Sequence, residues 1–235
     1  MKSLTILKTL RKPFRRVRGI VAMRLGRASS AKPLSKDWGI SRGQPIDRHY
    51  IEAFLADHAA DVRGRVLEFG DDNYSRQFGG SRITRQDILH LTGHPQATIV
   101  GDLAKPGLLP KSTFDCIICT QTLQFLFDIH GALDQLHQSL RPGGVLLVTV
   151  PGITPIGQGE WGKYWCWSLT ETALRQLLRG SFDDDALSLR TYGNLIAATA
   201  FLHAAAVEET GRKRLAPLDP AYPVIVAARA VARPS

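Results

Sequence analysis

Apolar residues recur along this chain with two periods. A continuous apolar run, Val66-Leu67, ends in Glu68-Phe69-Gly70, and similar short runs are predicted as strands over residues 81–87, 98–102, 114–120 and 145–150, then near 187–192 and 224–230. Between them the spacing turns helical. Ile46, Tyr50, Ile51, Phe54 and Leu55 share one side of a helix predicted over residues 45–62, with Pro45 near its start. Further helices are predicted over residues 129–140, 169–178 and 195–207, the last apolar enough to be buried. Arg141-Pro142-Gly143-Gly144 reads as the turn that stops the helix before the fifth strand. Strands alternating with helices imply an α/β fold, a mostly parallel sheet with helices on both faces.

Composition adds a division of the chain. The 235 residues, 44% hydrophobic, suit one large domain with a real core. The net charge of +9 lies in one place: residues 1–30 hold nine of the 30 Lys and Arg and no acid, leaving 21 basic against 21 acidic residues in the rest. Leu7, Leu10, Phe14, Val17, Val21 and Leu25 fall at helical spacing among those cations, with Pro13 as a break. Residues 1–36 therefore read as a basic amphipathic tail suited to an anionic membrane surface or an acidic partner, and residues 37–235 as the folded domain. The alternative for the tail is a solvated, frayed end. The neutral body argues against nucleic acid as a partner.

Three cysteines do not describe a disulfide framework and point to a reducing, cytoplasmic compartment, with the inner membrane face as a possible peripheral location. Cys116 and Cys119 form a CxxC within a predicted strand, where positions three apart face opposite sides, so no metal pair is expected. The apolar stretch over residues 195–207 is too short to span a bilayer of about 30 Å.

The chemistry begins where the first strand leaves the sheet. Ligands of open α/β sheets sit beyond the carboxyl ends of the strands. After Gly70 come Asp71 and Asp72, carboxylates that repel a phosphate but accept a cationic ligand.

Three segments in order, Val66-Leu67-Glu68-Phe69-Gly70, then Ile99-Val100-Gly101-Asp102-Leu103, then Phe114-Asp115-Cys116-Ile117-Ile118 through Leu140-Arg141-Pro142-Gly143-Gly144, resemble the class I S-adenosylmethionine (SAM)-dependent methyltransferases. The likeness is greatest to the type 11 methyltransferase-like proteins associated with glycosyltransferases, and covers roughly residues 44–231. It implies a Rossmann-like, seven-stranded, mostly parallel sheet and SAM as cofactor. It places Glu68, Gly70 and Asp71 at the methionine end of SAM, Asp87 on the ribose hydroxyls, Asp102 on the adenine amino group with Leu103 flanking the ring, and Thr120, Gln121 and Leu123 beneath the sulfonium. The sequence departs from the family in three ways. Asp72 and Tyr74 stand where glycines are usual, Phe125 replaces a histidine, and the short stretch from Gly70 to Asp87 leaves little room for a helix.

For the acceptor, Trp161, Tyr164 and Trp165 lie in a glycine-rich loop after the fifth strand, aromatic faces suited to a sugar, or alternatively a lid that touches no ligand. His130 is the candidate general base and His203 reads as a core histidine. The resulting expectation is methylation of a saccharide or glycoconjugate hydroxyl. The rivals are a degenerate methyltransferase fold serving as a scaffold and, weaker, an RNA methyltransferase.

Overall fold

The computed structural model describes residues 32–157 and 159–233. The predicted amphipathic pattern of residues 1–28 lies outside them. Helix α1 (Ile46–Asp57) leads through a 3₁₀ turn (Ala59–Asp61) to β1 (Gly64–Phe69), α2 (Asn73–Gly79), β2 (Ile83–His90), β3 (Ile99–Val100), β4 (Phe114–Thr120), α3 (Ile129–Ser139) and β5 (Leu140–Pro151). Then follow α4 (Glu171–Leu178), β6 (Leu187–Tyr192), α5 (Leu195–Leu202), the one-turn helices α6 (Val207–Thr210) and α7 (Arg212–Leu215), and β7 (Ile225–Val231).

The seven strands form one sheet in the order β3-β2-β1-β4-β5-β7-β6. The five from β3 to β5 are parallel, and β7 enters antiparallel between β5 and β6. Period-two alternation divides the core. Leu67, Ile117, Cys119, Leu146 and Val148 pack on one face with Leu133 and Leu136 of α3 and Leu174 and Leu178 of α4. Val66, Cys116, Ile118, Val145 and Leu147 pack on the other with Phe54 and Leu55 of α1 and Phe201 of α5. Cys116 and Cys119 thus face opposite sides, as their spacing requires. Three helices start on a side-chain cap: Asp128, Thr170 and Asn194 accept from the N–H groups of Gly131, Ala173 and Ala197.

Several predicted boundaries move. Arg141–Gly144 does not leave the sheet as a turn. The β4–β5 register jumps from Phe114↔Leu140 to Cys116↔Val145, so these residues bulge within β5, and the Gly143 N–H is taken by the Ala232 carbonyl. Residues 195–207 are not one helix, because Ala204 turns the chain at φ +56° between α5 and α6. The segment after Gly70 does hold a helix, the two turns of α2. Strand β2 runs three residues past Asp87, which decides the fate of that residue below. Among the described residues no helix is long and apolar enough to cross a membrane.

Candidate active site

A cavity of about 340 Å³ opens at the carboxyl ends of β1, β4 and β5. Its floor is made by strand ends: Glu68 and Phe69 from β1, Thr120 and Gln121 from β4, Pro151 from β5. Asp71 and Tyr74 form the wall beyond β1, and Asp47 and Arg48 of the first turn of α1 form another. Trp38, Gln124, Phe125 and Trp165 supply a largely aromatic side.

Glu68 is buried, and its two carboxylate oxygens accept from the N–H groups of Tyr74 (3.1 Å) and Ser75 (2.7 Å) in the first turn of α2. Burial pushes its pKa up to about 7, against the lowering effect of these bonds and with help from the neighbouring Asp71 charge. Asp47 rises to about 6 for the same first reason, loss of water around the carboxylate. Gly70 takes φ +84°, and no heavy atom lies within 4 Å of where its Cβ would stand, so the loop leaves open space there. Asp72 does not join Asp71: its carboxylate turns to Arg76, 2.5 Å away.

Gln121 sits at φ +48°, a strained conformation for a residue with a side chain. Its N–H donates to the Thr149 carbonyl (2.9 Å), and its side-chain amide lies between Thr149 and Gln124. The chain after β4 is thereby bent so that Gln121 and Gln124 both line the cavity. Gln124 Oε1 and Trp165 Nε1 are buried and have no hydrogen-bond partner among the described residues. Both atoms are sealed from solvent, and the polar part of the cavity lining comes from Asp47, Asp71, Thr120 and Gln121.

The roof joins sequence-distant parts. Trp38 reaches the loop after β5, its indole N–H donating to the Pro155 carbonyl at 3.4 Å, and its ring lies where a Cβ on Gly157 would be 2.9 Å away. Phe125 packs against Trp161 and edge-on to Trp165, with centroids 5.4 and 5.5 Å apart. Gln124 holds this loop, its carbonyl accepting from the N–H groups of Cys166 and Trp167.

Of the residues expected at the site, Glu68, Asp71, Thr120, Gln121 and Trp165 line the cavity. Others are placed elsewhere. Asp87 is mid-strand and buried, its oxygens taken by Arg65 Nε (2.6 Å) and the Thr98 hydroxyl (2.9 Å), so it does not face a ribose. Leu103 and Leu123 are core residues packed among β4 and α3 side chains, not ligand-facing ones. His130 is exposed beside Gly180 and does not line the cavity. Asp102 follows β3 and caps the Ala104 N–H, also outside the cavity. Trp161 and Tyr164 are more than half exposed, Trp161 only backing Phe125. His203 is the half-buried cap of α5, not a core residue. Sequence reasoning missed Trp38, Asp47, Arg48 and Gln124. The fourth tryptophan and the acid in the first turn of α1 were visible, but nothing local tied them to strand ends far along the chain.

A methyltransferase-domain family model matches residues 44–182, more than half of the chain. The chain belongs to this methyltransferase family. The match spans α1 through the helix after β5, the part of the methyltransferase domain that builds the cavity floor. A probable S-adenosylmethionine-dependent methyltransferase of Mycolicibacterium smegmatis is 30% identical over 109 residues, 46% of this chain and 38% of that protein. A highly reducing polyketide synthase of Strobilurus tenacellus is 30% identical over 124 residues, 46% of this chain and 4% of that much longer protein. The chain thus spans well under half the length of these relatives. Among solved structures, SAM-dependent methyltransferases of Mesorhizobium loti and Archaeoglobus fulgidus superpose with TM-scores of 0.51 and 0.52 at 15% and 11% identity, covering 79% and 78% of this chain and 97% and 94% of theirs. By family and fold it is a member of the class I SAM-dependent methyltransferases, whose cofactor is S-adenosylmethionine.

Proposed function

We propose that this protein binds S-adenosylmethionine in the cavity at the ends of β1 and β4 and methylates a hydroxyl of a saccharide or glycoconjugate. One observation carries the reading. The Asp71 carboxylate, with the Glu68 carboxyl group beside it, shares a single cavity with the aromatic side made by Trp38, Phe125 and Trp165 and with the side chains of Thr120, Gln121 and Gln124. The acidic side suits a ligand bearing an ammonium and a sulfonium, and the aromatic side, edged by polar groups, suits a sugar ring. S-adenosylmethionine, when bound, supplies an electrophilic methyl group. The chain's part is to align an acceptor in line with it, which Trp38 and Trp165 do by closing the cavity from opposite ends of the sequence. A hydroxyl acceptor also loses a proton. With His130 outside the cavity, Asp47 takes that role, because its pKa of about 6 lies close to neutrality and its carboxylate lines the cavity.

A second reading, a methyltransferase fold kept as a binding module, has its own support: the Glu68 carboxylate is engaged with the start of α2, and the Tyr74 side chain lines the cavity at a position where the resemblance implies glycine. Thermal unfolding with S-adenosylmethionine, S-adenosylhomocysteine and NAD separates the two. A ligand at a hundred times its dissociation constant adds about 2.7 kcal/mol, a rise of roughly 5–10 °C for a domain of this size. The enzyme reading expects that rise with the first two and none with NAD. It also expects Asp47→Asn to keep the rise while transfer of labelled methyl to a monosaccharide panel falls about 100-fold. No rise at millimolar ligand favours the binding module.

A further inference from the structure

Two of the four non-glycine residues with positive φ among the described residues, Trp38 (+55°) and Gln121 (+48°), line the same cavity. Backbone strain of this kind persists where the surrounding structure enforces it, and it collects at sites of function. For Gln121 the enforcement is visible: its N–H donates to the Thr149 carbonyl at 2.9 Å, which bends the chain as it leaves β4. A bend alone is served better by glycine, which takes positive φ with no Cβ to clash. What glycine lacks is the carboxamide.

That carboxamide is half committed. Its Nε2 donates to the Thr149 hydroxyl at 3.4 Å, and its Oε1 accepts from Gln124 Nε2 at 3.3 Å. Thr149 is fully buried and Gln124 nearly so, which lets these two side chains fix the plane of the amide from below the cavity surface. A side-chain amide carries two N–H donors and two acceptor lone pairs. One N–H and one lone pair of Gln121 therefore stay without a partner among the described residues, on a half-buried side chain that lines the cavity. A neutral donor beside a neutral acceptor matches two adjacent hydroxyls, one accepting from Nε2 and the other donating to Oε1. A carboxylate has no proton to give Oε1, and an ammonium has no lone pair to offer Nε2.

We propose that the Gln121 carboxamide grips a vicinal diol of the acceptor and so orients one of its hydroxyls for methylation. The assignment rests on the reading of the site as an O-methyltransferase and narrows the acceptor class to 1,2-diols. Two measurements test it. Gln121→Gly relieves the strained φ, so its melting temperature should equal the wild-type value or exceed it by up to about 3 °C. A fall of several degrees would mean that the amide serves the fold, and would overturn the proposal. The second measurement follows labelled methyl transfer from S-adenosylmethionine to methyl glycosides of hexoses and to their monodeoxy analogues. The wild type should favour the intact diol by about tenfold in kcat/KM, as one hydrogen bond allows. In Gln121→Gly and Gln121→Leu that preference should vanish, while S-adenosylhomocysteine still raises their melting temperature. A preference that survives in the variants would overturn the role of Gln121 and leave the O-methyltransferase reading standing. Loss of transfer to every acceptor, deoxy analogues included, would make Gln121 a general requirement instead of the group that reads the diol, and would also overturn the proposal. If S-adenosylhomocysteine stabilises the wild type but no glycoside is methylated, the saccharide reading fails and the diol with it. If it does not stabilise the wild type, the enzyme reading itself fails.

Discussion

Glu68 is held where burial and hydrogen bonding oppose each other, and the balance sets a measurable pH dependence. The folded protein keeps this proton up to about pH 7, whereas the unfolded chain releases it near 4.5. Between those values the native state binds more protons than the unfolded state, so stability falls as pH rises through the window and levels off above it. The group is almost fully buried, and the shift corresponds to an order of about 3 kcal/mol. Urea unfolding at pH 5 and pH 8 should show the loss, and Glu68→Gln should flatten its upper part, since Asp47, raised only to about 6, still contributes below that. An unchanged slope in the variant would refute the assignment. Glu68 was legible in the sequence because a buried strand that ends in an acid and a glycine fixes both its level and its direction. Asp87 was not, because an acid reads as a strand end, and only pairing with Arg65 and Thr98 lets β2 carry a carboxylate inside and run on to His90.

At the level of elements, what sequence periodicity could not supply is the roof. Strands β1, β4, β6 and β7 and helix α3 were found close to their true limits because each repeats a single period over its whole length. The stretch before α1 has no such period, and its course is set by contacts more than a hundred residues away. Arg42 forms a two-point ion pair with Glu209 of α6, with side chains only 7% and 1% exposed, and the Ala206 N–H shares the same carboxylate. Gly39 approaches the carbonyls of Ala204 and Ala205 so closely that a Cβ would stand 3.1 Å from the first. Together these dock the segment that carries Trp38 over the cavity. Removing one partner leaves a buried charge without compensation, so Arg42→Ala should lower the unfolding free energy by about 3–5 kcal/mol. Glu209→Gln, which leaves an amide able to bond, should cost less. If Arg42→Ala unfolds at the wild-type denaturant midpoint, the pair is not what holds the roof.

Over the whole molecule, one sheet serves two cores, and this bears on whether the lid can melt by itself. Leu146 and Leu147 are neighbours on β5, both fully buried, yet one packs with α3 and α4 and the other with α1 and α5. β5 bonds to β4 on one side and β7 on the other, so neither face can be lost without loosening the strand that supports the opposite one. All four tryptophans, Trp38, Trp161, Trp165 and Trp167, fall in the segments around the cavity, so indole fluorescence reports the roof while far-UV circular dichroism reports the sheet and helices. The roof is held to body elements by the Arg42–Glu209 ion pair, by the Gln124 carbonyl and by the close approach of Gly39 to Ala204 and Ala205, and a domain tied in this way unfolds in one step. The two signals should therefore coincide in urea. Leu146→Ala and Leu147→Ala should each cost about 2–5 kcal/mol and move both signals together, whichever face is cut. A fluorescence transition that precedes the dichroism transition would show that the roof opens as a separate unit. Access to the cavity would then be governed by that local opening, with a free energy below that of global unfolding.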